Sequence, residues 1–115
     1  MQKILELIVA PKSSKKKEFN QSLNDLARIL ESSCSKMKID GSEESSSISV
    51  LMEWETEDQM HRTIKSNEYT ILSGAITALC EKIEIRFNNS KIGDQISKLD
   101  PLVVKDLKNL QKLIN

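Results

Sequence analysis

The residues of this chain best equipped for chemistry stand together in "EWETEDQMHRTIKSNEYTILSGAI", residues 53–76. Trp54, His61 and Tyr69 are its only tryptophan, histidine and tyrosine. A tryptophan offers a flat wall to a ring, a tyrosine hydroxyl can hydrogen-bond it, and a histidine carries a proton near neutral pH. That set suits the orientation of a flat molecule and the movement of its protons. No nucleophilic triad or glycine-rich phosphate loop competes with it. Cys34 and Cys80 lie far apart, without CxxC spacing or a histidine nearby in sequence, so no metal site is expected. They read as two reduced thiols of a cytoplasmic protein, with a disulfide as the alternative. Each candidate also has a purely structural reading. Trp54 can be a core aromatic whose indole N–H is satisfied nearby, Tyr69 a ring in a buried stripe, and His61 an exposed residue at a helix border.

The elements that must position these groups are legible in the periodicity. "KILELIV", residues 3–9, reads as a strand, and residues 14–33 as a helix with Phe19, Leu23, Leu26 and Leu30 on one stripe. "SKMKIDG" predicts a second strand, "GSEESSS" a polar hairpin loop, and "ISVLMEW" a third strand with Ile48, Val50, Met52 and Trp54 inward. "TEDQ" has the form of a capping box, with Gln59 reaching back to the Thr56 amide. Ser66 should cap the next helix, whose Tyr69, Leu72, Ile76 and Leu79 form the buried stripe. "KIEIRFN" supplies a fourth strand with Ile83, Ile85 and Phe87 inward. "NNSKIGDQISKL" reads as a loop or linker. Then "DPLVVKDLKNLQKLI" forms a helix capped by Asp100, with Pro101 in its first position and Val103, Leu107, Leu110 and Ile114 on its central stripe.

Strand, helix, strand, strand, helices, strand is the βαββαβ order of an α+β, ferredoxin-like antiparallel sheet with its helices on one face. Residues 1–88 make that unit, and 89–115 a linker and C-terminal helix packed on the unit or on a partner. Gly74, costly inside a helix, lies with Ala78 opposite the buried stripe and suggests a flat seat for the C-terminal helix.

At 115 residues the chain suits one domain. Basic and acidic residues balance at 17 each and aromatics make up 3%, which argues against nucleic acid as a partner. The apolar run at its start is short, contains Glu6 and ends in lysines rather than a small-residue cleavage site, so no leader is expected, and no stretch is apolar for long enough to span a membrane. In the 4-1-3-2 strand order the first and third strands are central. They carry apolar residues on the outer face too: Ile4, Ile8 and Leu51. A second copy of the sheet would cover them, so a homodimer is expected, with those three residues at the interface.

Trp54 after an alternating strand, the acidic "ETED", then "IKSNEYTILSGAITAL" and a closing "IEIRF" resemble the antibiotic biosynthesis monooxygenase-like family of the dimeric α/β-barrel superfamily, across residues 3–88. The resemblance implies a pocket between helices and inner sheet face, lined by Met52, Trp54, Tyr69, Leu72 and Ser73. There an aromatic or quinol-type molecule would be oxidised by O2 without cofactor, with Trp54, Tyr69 and His61 as the catalytic candidates. The alternative is a non-catalytic ligand-binding or stress-response protein of the same architecture. Two positions depart from the family pattern. Thr63 stands where the window's usual histidine falls, and Ser73 where haem-degrading members carry their iron ligand. The first strand also lacks the asparagine of those enzymes, which points away from haem breakdown.

Overall fold

The computed structural model describes residues 3–41, 44–88, 90–91 and 101–112. Strand β1 (Lys3–Pro11) leads through a 3-10 turn (Ser13–Lys15) into α1 (Lys16–Glu31), then β2 (Lys36–Asp40) and β3 (Ile48–Trp54). Helices α2 (Glu57–Ile64) and α3 (Asn67–Leu79) precede β4 (Cys80–Phe87), a two-residue β5 (Ser90–Lys91) and α4 (Pro101–Lys112). The sheet order is β2-β3-β1-β4-β5, and every described pairing is antiparallel. The ferredoxin-like order is therefore present, with one addition. Part of the expected linker pairs with β4 as β5, while residues 92–100, including Asp100, lie outside the described residues.

Strict alternation explains how one strand serves two faces. Leu5, Leu7 and Val9 of β1, Ile48, Val50, Met52 and Trp54 of β3, and Ile85 and Phe87 of β4 all turn inward and are buried. Helix α1 lays Phe19, Leu23, Leu26 and Leu30 on that face, and α3 adds Tyr69, Leu72 and Ile76. Gly41 turns the β2–β3 connection with a φ of 117°. A Cβ there would stand 2.9 Å from the Ser47 carbonyl oxygen, so only glycine fits.

Both helix starts near the candidate window are capped by the expected residues. Thr56 Oγ1 accepts from the Gln59 N–H at 3.2 Å, and Ser66 Oγ from the Tyr69 N–H at 3.2 Å. The return bond of the box differs from the expectation: Gln59 Oε1 accepts from the Glu55 N–H, one residue earlier than Thr56. Helix α3 then passes into β4 with no intervening residue, and the junction is pinned by the Lys12 N–H donating to the Leu79 carbonyl at 2.8 Å.

Helix α4 packs against β4 and α2 in the same chain, with Val103, Leu107 and Leu110 buried in the common core. Gly74 is exposed, has open space around its Cβ direction, and neighbours the exposed Ile71 and Ala78. The expected seat for α4 on Gly74 and Ala78 is thus corrected: the core residues α4 joins lie on the inner side of the sheet. Val104 is half-buried, and Ile114 lies outside the described residues.

On the outer face Ile4, Ile8 and Leu51 are each half-buried. Glu6 stands between the two isoleucines, opposite Leu51 on one side and Arg86 on the other. Its carboxylate accepts from the Ser49 hydroxyl at 2.7 Å. The apolar middle of that face is therefore interrupted by one hydrogen-bonded charge.

Candidate functional site

Two polar clusters are set into the core, and each is organised around one of the singled-out aromatics. Trp54 ends β3 on the inner face and is fully buried. Its indole N–H donates to Thr63 Oγ1 at 2.9 Å. The Thr63 hydroxyl lies 3.1 Å from Ser33 Oγ, 3.3 Å from the Ser33 carbonyl and 3.2 Å from the Gln59 carbonyl. Thr63 therefore accepts from the indole and has three acceptors for its own proton, which ties β3, α2 and the end of α1 together. Beside it, burial pushes the Cys34 thiol up, against the opposing influence of Ser33 and Trp54, so it is held as a thiol. Two shallow clefts of about 260 and 290 Å³ border this network and share Ser33 and Gln59.

The second cluster is of another kind. Tyr69 is 1% exposed, and Ser73 follows one turn later on the same face of α3. The Tyr69 hydroxyl, Ser73 Oγ and Asp106 Oδ2 from α4 are cut off from solvent, and none has a hydrogen-bond partner among the described residues. The Tyr69 hydroxyl lies near enough to Asp106 and Ser73 for both to influence its ionisation, and Tyr69 influences Asp106 in return. Burial, then the charge of Asp106, push Tyr69 well above the ordinary phenol range. Burial also raises the Asp106 carboxyl, with the Tyr69 hydroxyl pulling the other way. Leaving such atoms unsatisfied costs about 1–3 kcal/mol each.

The remaining candidates fall around these clusters. Met52 and Leu72 are fully buried in the core that also holds Trp54, Tyr69 and the α4 residues Val103, Leu107 and Leu110. Ser73 is half-buried at its edge, and His61 is half-buried on α2, next to the fully buried Met60. Cys34 and Cys80 are free thiols, and burial lifts Cys80 to about 12 against the opposing charge of Lys12. Among the described residues no group of three or more His, Cys, Asp and Glu side chains could hold a metal ion, and no helix is long and apolar enough to cross a membrane.

Sequence reasoning did not find Asp106 or Ser33, and it treated Thr63 only as a replaced histidine. The signal for Asp106 was a carboxylate bordering the apolar stripe of α4. Ser33 carried no signal, being one serine in a polar turn.

No protein-family model matches the sequence, and no curated protein is significantly similar to it. Solved structures do match its shape. Its fold is that of the antibiotic biosynthesis monooxygenases. A protein bearing that name superposes with a TM-score of 0.67 at 11% identity, over 80% of this chain and all of its own. Rv0793 from Mycobacterium tuberculosis gives 0.70 at 7% identity, over 82% of this chain and 99% of that one. A conserved protein from Methanosarcina mazei Go1 gives 0.66 at 19% identity, covering 79% and 94%. Identities this low speak to architecture. The chemistry has to be argued from this chain's own residues.

Proposed function

We propose that the protein is a homodimeric, cofactor-independent monooxygenase-like protein that acts on an aromatic or quinol-type small molecule held between sheet and helices. The observation that carries this reading is the Tyr69–Ser73–Asp106 cluster, three buried oxygens with unused hydrogen-bonding capacity set into the core to which Met52, Trp54 and Leu72 also belong. A site that merely filled space would be lined by apolar groups alone; here a carboxylate and two hydroxyls converge. The ligand supplies the electrons for O2, and the protein supplies orientation and a place for protons. Residues 1–88 form the ligand-holding unit, which the C-terminal helix at the end of the 89–115 segment completes. Cys34 and Cys80, both free, suit a reducing, cytoplasmic setting.

The test is an oxygen electrode with purified, metal-free protein and a panel of quinols and dihydroxyaromatics. Consumption above the buffer rate is expected, reduced in Trp54→Ala and in Tyr69→Phe. A second reading, a ligand-holding protein without turnover, is favoured by one contact: the Trp54 indole N–H is already committed to Thr63 and is not available to a ligand. Binding of the same compounds with oxygen uptake equal to buffer would establish that reading instead.

A further inference from the structure

A packed interior seldom gathers three polar side-chain atoms and leaves each without a partner. The Tyr69 hydroxyl, Ser73 Oγ and Asp106 Oδ2 are such a group. The first two stand one turn apart on α3. The third arrives on α4, bordering the buried Val103, Leu107 and Leu110 that fix that helix to the core. An ionised carboxylate can only accept a hydrogen bond, whereas a hydroxyl can donate one. Together they match a ligand group that first gives up a proton and then needs donors around the charge left behind. The hydroxyl of a phenol or an enol is that group.

We propose that Asp106 is the proton acceptor of the ligand site: it takes the proton of an aromatic or enolic hydroxyl, and the Tyr69 and Ser73 hydroxyls hold the resulting oxyanion. In this step the ligand O–H bond breaks and a new O–H bond forms on the Asp106 carboxylate. The negative charge passes from carboxylate to ligand oxygen, and neither partner is oxidised. Burial of Asp106 raises its appetite for the proton, while Tyr69 stays neutral and able to donate. The assignment rests on reading this site as an aromatic-ligand pocket, and it gives the C-terminal helix a chemical part beside its packing role.

The probe is para-nitrophenol, whose anion is yellow, titrated with the full chain at a pH about one unit below its ordinary ionisation. Binding to the unsubstituted protein should raise the yellow fraction several-fold over buffer. Asp106→Asn should still bind the phenol and lose that rise, whereas Asp106→Glu should keep part of it. Para-nitroanisole, which has no proton to give, should compete only weakly. Binding without any rise, no binding at all, or an undiminished rise in Asp106→Asn would each overturn the proposal. The unsubstituted protein alone decides the first two, so the test survives a variant that folds poorly. An Asp106-dependent rise with no quinol oxidised would retire the monooxygenase reading and leave this one standing. Oxygen uptake undiminished in Asp106→Asn would do the reverse.

Discussion

Thr63 carries a buried joint by itself. Its hydroxyl accepts the Trp54 indole N–H and faces Ser33, so that three elements depend on one oxygen. Thr63→Val keeps the shape and removes that oxygen. Stranding the indole N–H should cost about 1–3 kcal/mol, read from the shift in a urea midpoint. Thr63→Ser should retain most of the bond. Asp106 behaves oppositely. Its pKa is higher in the folded chain than in the unfolded one, so the folded chain holds the extra proton between the ordinary carboxylate range and the raised value. Stability therefore falls as pH rises through that window, and the penalty persists above it. Asp106→Asn should be more stable than the parent at neutral pH, with the gain fading toward pH ~4. Tyr69, the titratable group facing Asp106, is pushed upward and stays neutral throughout. Urea melts at the two pH values check the sign. Trp54 and Tyr69 were visible in the sequence as inward aromatics. Their partners were not, because periodicity gives the face a residue occupies and is silent on which distant side chain meets it.

At the scale of elements the strands were the most legible part. Ile48, Val50, Met52 and Trp54 alternate so regularly that one face could only be core, and the structure buries all four. Helix α4 was legible as amphipathic and illegible as to its seat. An apolar stripe says that something must cover it, and Gly74 with Ala78 offered a false match. The true contacts are β4 and α2. Two substitutions test this. Leu107, fully buried, should lose about 2–5 kcal/mol on Leu107→Ala. Amide hydrogen exchange should then rise first in α4, which the burial of Val103, Leu107 and Leu110 holds to the core. Gly74, with nothing near its missing Cβ, should gain about 0.5–1 kcal/mol on Gly74→Ala, seen as a higher melting temperature. A helix seated there would make the same change destabilising.

At the scale of the whole molecule, a lone chain leaves Ile4, Ile8 and Leu51 half-buried around a hydrogen-bonded Glu6. An interface between two copies across that face is the arrangement we infer. Leu51→Asp would set a new carboxylate near Glu6, its cross-strand neighbour, and should convert a dimer to monomer by light scattering while the helix-covered core stays folded. A parent protein that scatters as a monomer at micromolar concentration would remove that inference. The direct passage from α3 into β4 bears on how the molecule tolerates changes in length. One inserted residue between Leu79 and Cys80 would either turn the helix by about 100° or shift the strand by one, and a shift by one flips every side chain to the other face. In the first case Tyr69 and Ser73 would leave the cluster they form with Asp106; in the second Ile85 and Phe87 would point outward. A length change at 44–47 disturbs no such phase, because those residues belong to neither strand. Insertions scanned along the chain should therefore be tolerated around 44–47 and be lethal to folding at 79–80, which makes that seam the point from which the spacing of the whole chain is set.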